Sequence, residues 1–595
     1  MREIFMIRVA DYVMDFLVGK GVSHCFVLPG GGAMHLNDAL GRNEKLDYTV
    51  FLHEQALAIA AESYGQHRNF PGVGLVTSGP GSTNAITGVT AGYIDSTPMF
   101  MLSGQAKRSD LKHGTGVRQM GSQEVDIVAM ITPVTKYAFQ ILEPESIRYH
   151  LEKAWYECTT GRMGPVWLDI PLDVQGALVD ENALEGFIPP AEKELCIPLD
   201  SIREMLEKSS RPLMLIGNGT KLSGCTDRYI SFAEKYNIPV ILTWKSIDAM
   251  DYSHHLNFGT PGIMGSRYAN FIVQNCDCLL VCGSRLDPSL TAFNSADFAR
   301  NARKIMVDID EAEMRKIKGV DLKITAPADK FIEALENIEI GFADTGTWLD
   351  YCREVKSAFP VFEESAKEWD NGVDLYFFTE ELFKALTADD VVVPESSGAA
   401  GEVTYHGMKV KKGQKIKNAA GLGSMGFGLP YAIGAAIAND RRRTVLINGD
   451  GAFQMNIQEL ETVARLKLPV KMFIWDNDGY GSIVNTQRNM FQGFLVGSDR
   501  ASGLSLPDVC KQAAAYGIRT LEVKENGKLA AVIAETLKGD EPVLCKVVVT
   551  PDHKTCPRVQ AEKLPDGRMI SHPLEDMWPY LPEDEVKKYM RFAAK

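Results

Sequence analysis

Residues 444–483 carry the pattern that most restricts the fold of this chain. A short apolar run at 444–448 stops at the sequence GDG, and a second run at 470–475 stops at DNDG. Between them, apolar residues recur at the helical period. The pattern predicts a strand, a helix and a second strand, in which the crossover makes the two strands parallel. The turns after both strands are then expected at one edge of one sheet.

Side chains at these two turns predict a metal centre. Asp450 follows the first run and Asn477 the second, so a carboxylate and an amide oxygen are expected to converge. With a carbonyl near Gly479, these oxygen donors suit Mg²⁺ or Ca²⁺, and Mg²⁺ leaves positions for phosphates. Gly451 and Ala452 precede the helix, where free N–H groups and the helix dipole favour an anion. An ordinary capped turn uses the same residue types, so GDG alone leaves both interpretations open.

Composition bounds the class of protein. The 595 residues are 45% hydrophobic and 24% charged, which is typical of a globular protein with several domains. The net charge of −14 argues against nucleic acid or an anionic membrane as the main partner. No apolar stretch is long enough to span a bilayer, and charged residues interrupt the N-terminal segment that a signal peptide would need. We therefore predict a cytoplasmic protein that is not bound to a membrane.

The 11 cysteines are scattered along the chain, as expected of reduced thiols. Cys276, Cys278 and Cys282 form the only cluster, in an apolar, strand-like run without a nearby histidine. This setting favours core thiols over zinc ligands.

The order of patterns predicts three α/β domains with doubly wound parallel sheets. Their predicted limits are 1–180, 195–340 for a Rossmann-like middle domain, and 370–552. Residues 553–595, rich in proline and charge, are predicted to be a tail over the surface or an active-site mouth.

Two features of the N-terminal domain are ambiguous by themselves. Gly31 lies in a triple glycine after an apolar run, which allows close approach of a ligand but also makes an ordinary turn. Glu54 opens a helix, where the helix dipole favours a carboxylate whatever its function.

Several segments together resemble thiamine diphosphate (ThDP) enzymes of the acetolactate synthase branch. They are HEQALAIAAESYG, TSGPGSTNAITG, YIDSTP, GSQEVDIV, GLGSMGFGLPYAIG and the GDG segment with its later asparagine turn. The resemblance implies that the N- and C-terminal domains bind opposite ends of ThDP. It implies that Glu54 holds the pyrimidine ring, with Gln123 and Gly31 as further catalytic candidates. It also implies a homodimer or homotetramer with shared active sites.

The same resemblance implies the cofactor contacts. Those for ThDP are Ser396, Ser397, Gly398, Gly423, Met425, Asp450, Gly451, Ala452, Asn477, Gly479 and Tyr480. The implied Mg²⁺ ligands are Asp450, Asn477 and Gly479. Segments of the middle domain resemble an FAD site, although some relatives have this domain without FAD. The implied FAD contacts are Gly217, Asn218, Gly219, Thr243, Gly259, Arg285, Asp308 and Ile309.

Some positions depart from the acetolactate synthase pattern. Ser289 stands where an arginine holds the acceptor carboxylate, and Ser482, Thr486 and Ser122 replace large apolar groups. Asp476 replaces the first asparagine of the metal turn. Loss of a guanidinium removes a bidentate carboxylate clamp. The tail motif PLEDMWPYL, together with GAMHLNDAL and GVRQMGSQEVDIV, resembles a subgroup associated with surface sugars.

These departures lead to the hypothesis that the enzyme decarboxylates a 2-oxo acid such as pyruvate. The two-carbon acyl unit would pass to a small-molecule keto acceptor, a nucleotide-linked keto-sugar. The alternatives are an acetolactate synthase with pyruvate as acceptor, a 2-oxo acid decarboxylase or cyclic-dione lyase or hydrolase, and a catalytically silent regulator. A nicotinamide dehydrogenase is disfavoured because no GxGxxG with a downstream acid ends a strand.

Overall fold

The computed structural model describes residues 6–191, 194–342, 345–362, 371–549 and 553–593. Within them, three sheets of parallel strands follow one another along the chain, and helices flank each sheet. The predicted α/β class with doubly wound parallel sheets is therefore confirmed.

The N-terminal domain has eight strands and seven helices. The strands are β1 (Met6–Arg8), β2 (His24–Val27), β3 (Asp47–Val50), β4 (Gly72–Val76), β5 (Met99–Gln105), β6 (Tyr137–Gln140), β7 (Pro165–Pro171) and β8 (Leu178–Asp180). The helices are α1 (Val9–Gly19), α2 (Met34–Arg42), α3 (Glu54–Arg68), α4 (Pro80–Asp95), α5 (Ile127–Ile131), α6 (Ile147–Thr159) and α7 (Leu172–Gln175). Six strands form one parallel sheet in the order β3-β2-β4-β5-β7-β6, and β1 pairs with β8.

The middle domain contains a five-stranded parallel sheet. Its strands are β9 (Pro212–Ile216), β10 (Val240–Leu242), β11 (Cys278–Cys282), β12 (Arg303–Asp308) and β13 (Leu322–Thr325). Their order is β10-β9-β11-β12-β13. The helices are α8 (Leu199–Glu207), α9 (Asn218–Leu222), α10 (Thr226–Tyr236), α11 (Arg267–Asn275), α12 (Glu311–Arg315), α13 (Ala328–Glu336) and α14 (Gly346–Ala358).

The C-terminal domain contains a second six-stranded parallel sheet, in the order β15-β14-β16-β17-β19-β18. Its strands are β14 (Val391–Pro394), β15 (Lys415–Ile416), β16 (Thr444–Gly449), β17 (Val470–Asp476), β18 (Arg519–Val523) and β19 (Val543–Val548). Its helices are α15 (Leu375–Ala385), α16 (Gly398–Gly407), α17 (Gly428–Ala438), α18 (Asp450–Phe453), α19 (Leu460–Leu466), α20 (Gly481–Met490), α21 (Val509–Ala515) and α22 (Asn526–Thr536). This strand order repeats that of the N-terminal sheet.

The N- and C-terminal domains share one apolar core, in which α3 packs against α17. The two helices approach so closely that a Cβ at Gly434 would lie 2.3 Å from the carbonyl oxygen of Ala60. Ser63 Oγ also donates to the carbonyl oxygen of Tyr431 at 2.7 Å. The absence of a side chain at Gly434 thus sets the spacing of the two domains.

We expect Gly434→Ala to lower the free energy of unfolding by about 1–3 kcal/mol, the usual cost of overpacking, because the new Cβ meets backbone atoms. Gly527→Ala makes the same change in a helix where the added Cβ meets no atom within 4 Å. It is expected to be neutral or stabilising by up to about 1 kcal/mol. Denaturant unfolding of both variants measures the difference, and equal effects would contradict the close packing of α3 and α17.

The segment after the C-terminal sheet returns to the middle domain. It contains β20 (Arg558–Val559), β21 (Ala561–Lys563), β22 (Met569–Ser571), β23 (Met577–Trp578) and α23 (Glu583–Tyr589). Leu574, Met577 and Tyr589 are buried in the middle-domain core. Asn270 and Asn275 of α11 donate to the carbonyl oxygens of Leu574 and Tyr589 at 2.9 and 3.0 Å. The predicted surface tail is therefore an integral part of this domain.

The middle-domain core also extends beyond residue 340. Helix α14 lies beyond the predicted limit of this domain, and it buries Trp348, Leu349, Tyr351, Cys352 and Val355 there. The domain limits given by the sequence stay predictions.

Candidate functional site

Strands β16 and β17 are parallel neighbours, with Gly449 opposite Trp475. Their carboxyl ends therefore open at the same edge of the C-terminal sheet, as residues 444–483 predict. The turn after β16 begins α18, and the turn after β17 leads to α20. This pairing brings Asp450, Asn477 and Gly479 together.

Asp450 is buried, with 3% of its surface exposed. Its Oδ1 accepts the backbone N–H of Gly451 at 2.8 Å, and its Oδ2 accepts that of Gly479 at 3.3 Å. These bonds fix the carboxylate against both turns. The side chain therefore cannot turn away from the strand edge without losing both partners.

The amide end of Asn477 lies 2.7 Å from the carbonyl oxygen of Gly479 and 3.2 Å from Asp450 Oδ1. With its nitrogen at that position, the amide donates to both oxygens. With its oxygen there, three oxygen atoms face one another, an arrangement that a bound cation would stabilise. A carboxylate, an amide and a carbonyl oxygen are ligands that Mg²⁺ or Ca²⁺ accepts. The donor set at this edge therefore fits the predicted metal.

Asp476, the departure from the family turn, adds a second carboxylate beside Asp450. Burial, and then the charge of Asp476, raise the pKa of Asp450. Lys546 Nζ lies 2.8 Å from Asp476 Oδ2 and 3.2 Å from Asp508 Oδ2. Lys546 thus offsets part of the negative charge from the side of β19, and a cation beside Asp450 would offset more.

The predicted diphosphate contacts lie close to this centre. A Cβ at Gly451 would meet the Tyr480 ring at 2.4 Å, so only glycine allows the ring to cover this turn. Gly398 begins α16 with φ of +69°, and a Cβ there would lie 3.3 Å from Ser482 Oγ. The ends of β14, β16 and β17 therefore border one region, which contains residues 396–398, 450–452 and 477–480.

Glu395, which sequence reasoning left without a role, connects two of these segments. Its carboxylate is fully buried and accepts the backbone N–H groups of Gly428, Phe427 and Ser396 at 2.9, 3.3 and 3.1 Å. Burial raises its pKa to about 7. The bonds join the end of β14 to the start of α17. The sequence feature that could have indicated this role is a carboxylate directly after an apolar strand.

Gly423 and Met425 lie in the loop before α17. Gly423 has φ of +64° and Gly426 has φ of +88°, a conformation that favours glycine. Asn456 Nδ2 donates to the carbonyl oxygen of Gly426 at 2.8 Å and to Gln55 Oε1 at 3.3 Å. Asn456 therefore holds the loop directly and links it to the start of α3.

A second centre lies in the N-terminal domain, around the turn at residues 77–81. Asn84 Nδ2 donates to Glu54 Oε2 at 3.0 Å, and a Cβ at Gly81 would lie 3.5 Å from Glu54 Oε1. Gly79 lies against the backbone of Gln123, where a Cβ would be 2.3 Å from the carbonyl oxygen. Gln123 has φ of +57°.

The triple glycine meets the same turn from β2. Gly32 N donates to Thr77 Oγ1 at 3.1 Å, and side chains at Gly30 or Gly32 would clash with Thr77 or Ser78. A Cβ at Gly31 would meet no atom within 4 Å. The structure thus brings the three predicted catalytic residues, Glu54, Gln123 and Gly31, around one turn. Among the described residues, no hydrogen bond or ion pair joins Glu54 to the Asp450 centre.

A cavity of about 1560 Å³ lies between the N-terminal and middle domains, beside the carboxyl ends of the middle strands. Six of the eight predicted FAD contacts line it, namely Asn218, Gly219, Thr243, Arg285, Asp308 and Ile309. The other two have packing roles. Gly217 lies against Gly283, and Gly259, with φ of +73°, lies under the Tyr268 ring. Sequence reasoning missed the wall from the N-terminal domain, including Asp95 and Arg162.

Comparison with known proteins finds three domains in the same order along the chain. Residues 7–130 match the N-terminal TPP binding domain of thiamine pyrophosphate enzymes, residues 199–335 the central domain and residues 397–547 the C-terminal TPP binding domain. The probable acetolactate synthase large subunit of Methanocaldococcus jannaschii is 31% identical, covering 98% of this chain and 99% of the relative. This chain belongs to the acetolactate synthase family of ThDP enzymes.

Further members of the acetolactate synthase family agree over similar lengths. The large subunit of acetolactate synthase isozyme 2 from Escherichia coli is 30% identical over 96% of this chain and 99% of its own. Chloroplastic acetolactate synthase 2 of Zea mays is 30% identical, with 92% and 86% covered. The predicted resemblance is confirmed, and the protein is a ThDP-dependent enzyme of the carboligase type. The alternative of a silent regulator is therefore not supported.

Within this family framework, the residues predicted on the acceptor side occupy three places. Ser482 and Thr486 lie on α20, where Thr486 Oγ1 donates to the carbonyl oxygen of Ser482 at 3.0 Å. Ser289 lines the large cavity. Ser122 is exposed beside Gln123. Within one chain, Ser482 therefore lies beside Gly398 of the C-terminal domain. Ser122 lies beside Gln123 in the N-terminal domain.

The cysteine cluster has no metal-binding arrangement. Cys276, Cys278 and Cys282 are buried free thiols, and burial raises the pKa of Cys278 to about 12. In the part of the chain that the structure describes, no group of three or more His, Cys, Asp or Glu side chains could hold a metal. Within the same residues, no helix is long and apolar enough to cross a membrane.

Proposed function

We propose that this enzyme decarboxylates a 2-oxo acid, with pyruvate as the first candidate, and joins the two-carbon acyl unit to a second 2-oxo acid, as an acetolactate synthase does. The observation that carries the proposal is the convergence of Asp450, Asn477 and Gly479 in a chain that matches acetolactate synthases over nearly its whole length. The names of these relatives favour this acceptor over the keto-sugar that the sequence departures suggested.

The two centres would hold opposite ends of one coenzyme. Bound ThDP supplies a thiazolium ring that takes up the electrons released by decarboxylation. Asp450, Asn477 and the Gly479 carbonyl would hold Mg²⁺ at the diphosphate end. Asn84 fixes one oxygen of Glu54, and Glu54 Oε1 would exchange a proton with the pyrimidine ring.

We propose that the enzyme is a homodimer or homotetramer with active sites between subunits. Large apolar side chains are exposed next to both centres, and clusters of this kind mark interaction surfaces. Val117 and Met120, before Gln123, are 50% and 55% exposed. Phe491 and Phe494, after α20, are 62% and 74% exposed. Sedimentation tests this proposal, and a fully active monomer would contradict it.

We further propose FAD as the occupant of the large cavity. Its volume suits a dinucleotide, and Asp308 ends β12 at the position where a carboxylate can hold ribose hydroxyls in Rossmann-like sheets. Burial raises the pKa of Asp308, so bonds from hydroxyl groups would stabilise its ionised form. Purified enzyme is expected to release flavin on denaturation. Release of another nucleotide, or of no nucleotide, would contradict the assignment of FAD to this cavity.

A keto-sugar acceptor is the second candidate, because hydroxyl groups of α20 lie where the family has large apolar groups. Ser482 borders Gly398, and no guanidinium stands at the position of Ser289. Such a surface suits a larger, polar acceptor without a carboxylate.

Product analysis separates the two acceptors. With ThDP, Mg²⁺ and pyruvate alone, we expect one acetolactate and one CO₂ for every two pyruvate molecules consumed. A nucleotide-linked keto-sugar added at equal concentration is expected to leave the rate of pyruvate consumption and the product unchanged. Little acetolactate from pyruvate, with a branched sugar formed on addition of the keto-sugar, would establish the second candidate. Free acetaldehyde alone would instead indicate a decarboxylase.

A further inference from the structure

One carboxylate connects all three domains beside the large cavity. Asp95, at the end of α4, accepts Lys245 Nζ of the middle domain at 3.0 Å on Oδ2. Its Oδ1 accepts the backbone N–H of Gly421, in the C-terminal domain, at 3.1 Å. The side chains of Asp95 and Lys245 are only 4% and 14% exposed. A buried pair of this kind is costly to break from one side, because the remaining charge has no counter-charge.

Lys245 holds the same C-terminal segment at a second point. Its Nζ donates to the carbonyl oxygen of Asn418 at 2.6 Å. Lys245 thus holds residue 418, and Asp95 holds residue 421. Residue 421 lies two positions before Gly423 and four before Met425. A Cβ at Gly421 would lie 2.2 Å from Asp95 Oδ1, so the contact requires glycine.

We infer that Lys245 is a positioning residue that, with Asp95, holds the 418–421 segment so that Gly423 and Met425 can receive ThDP. The inference rests on the proposed function, because it assigns a purpose to the loop only if this loop contacts the coenzyme. It adds a residue of the middle domain, from the cavity wall, to the support of a site built by the other two domains.

Arg162 provides a matched control. It lines the same cavity and also joins the N-terminal domain to the middle domain, through Asp310 and Glu313 at 2.9 Å each. Among the described residues, its side chain donates hydrogen bonds to Ser96, Asp310 and Glu313, and none of these lies in the C-terminal domain. Loss of Arg162 thus removes an interdomain ion pair without releasing the 418–421 segment.

The test is ThDP affinity, measured by calorimetry with excess Mg²⁺ on the full chain, with flavin content recorded for each preparation. We expect Lys245→Met to weaken ThDP binding about tenfold, the equivalent of about 1.4 kcal/mol. Lys245→Arg is expected to restore most of the loss, and Arg162→Met to bind within about twofold of the unmodified enzyme. Because the Lys245–Asp95 pair is more buried than the ion pairs of Arg162, unfolding of each variant is measured as well. A loss of affinity in folded Lys245→Met protein that Arg162→Met does not share then reports positioning.

Each outcome decides the matter. Folded Lys245→Met protein with unchanged ThDP affinity would overturn the inference, as would an equal loss in Arg162→Met. If Lys245→Met does not fold, Gly421→Ala breaks the same contact from the other side, and unchanged affinity there would overturn it. Absence of ThDP binding by the unmodified enzyme would instead overturn the proposed function.

Discussion

The Glu54→Gln variant is expected to lose about 100- to 10,000-fold in kcat, the range supplied by a single acid–base group. The amide keeps the size of the side chain and can still accept the hydrogen bond from Asn84. It cannot exchange a proton with the coenzyme ring, so the activation step fails while binding persists. ThDP affinity is therefore expected to change only a few fold. Steady-state kinetics and calorimetry on the same preparation measure both quantities.

Glu62→Gln is the control for this change. Glu62 is a buried carboxylate eight residues further along α3 and accepts a hydrogen bond from Thr97 Oγ1 at 2.8 Å. Burial raises its pKa to about 7, so a neutral amide is a small electrostatic change there. We expect it to retain most of the kcat. Comparable activity in both variants would remove Glu54 from the mechanism.

The second large effect is expected at the metal centre. Asp450→Asn should weaken Mg²⁺-dependent ThDP binding at least about 100-fold, because it removes the carboxylate ligand of a divalent cation. Titration with ThDP at several Mg²⁺ concentrations measures the loss, which excess Mg²⁺ should partly reverse. Asp478→Asn makes the same change in the adjoining turn, where Asp478 is paired with Arg500 at the surface. It is expected to bind ThDP normally.

The stability of the metal-free protein supplies an independent check. An acid whose pKa is raised on folding costs stability above its unfolded pKa of about 3.9, and the cost grows until the pH passes the folded pKa. Burial and Asp476 raise the pKa of Asp450, so the amide should leave the melting temperature at neutral pH unchanged or higher. A lower melting temperature in Asp450→Asn would show that the hydrogen bonds from Gly451 and Gly479 outweigh the cost of burying the charge.

Local patterns predicted the part of the site that depends on neighbouring strands. The apolar runs and the turns at Asp450 and Asn477 are sufficient to place both turns at one sheet edge, because a helical crossover makes the two strands parallel. The register of β16 and β17 follows the same apolar runs. For this reason the residues at both ends of the proposed metal centre can be named from the sequence.

Contacts between distant segments could not be predicted in this way. The sequence around Asp95 is that of an ordinary helix end. It does not indicate the bonds that Asp95 makes to Lys245 and Gly421. Glu395 similarly acts through backbone groups about 30 residues away, at Phe427 and Gly428. Such roles depend on how whole domains pack, which periodicity along the chain does not encode.

The return of residues 553–593 to the middle domain has a consequence for biosynthesis. Leu574, Met577 and Tyr589 leave the ribosome only after the entire C-terminal sheet has been translated. Until then, the buried amides of Asn270 and Asn275 lack acceptors that the mature domain supplies. The middle of this polypeptide is therefore the part that matures last, and a nascent chain arrested before residue 553 should expose it to proteases.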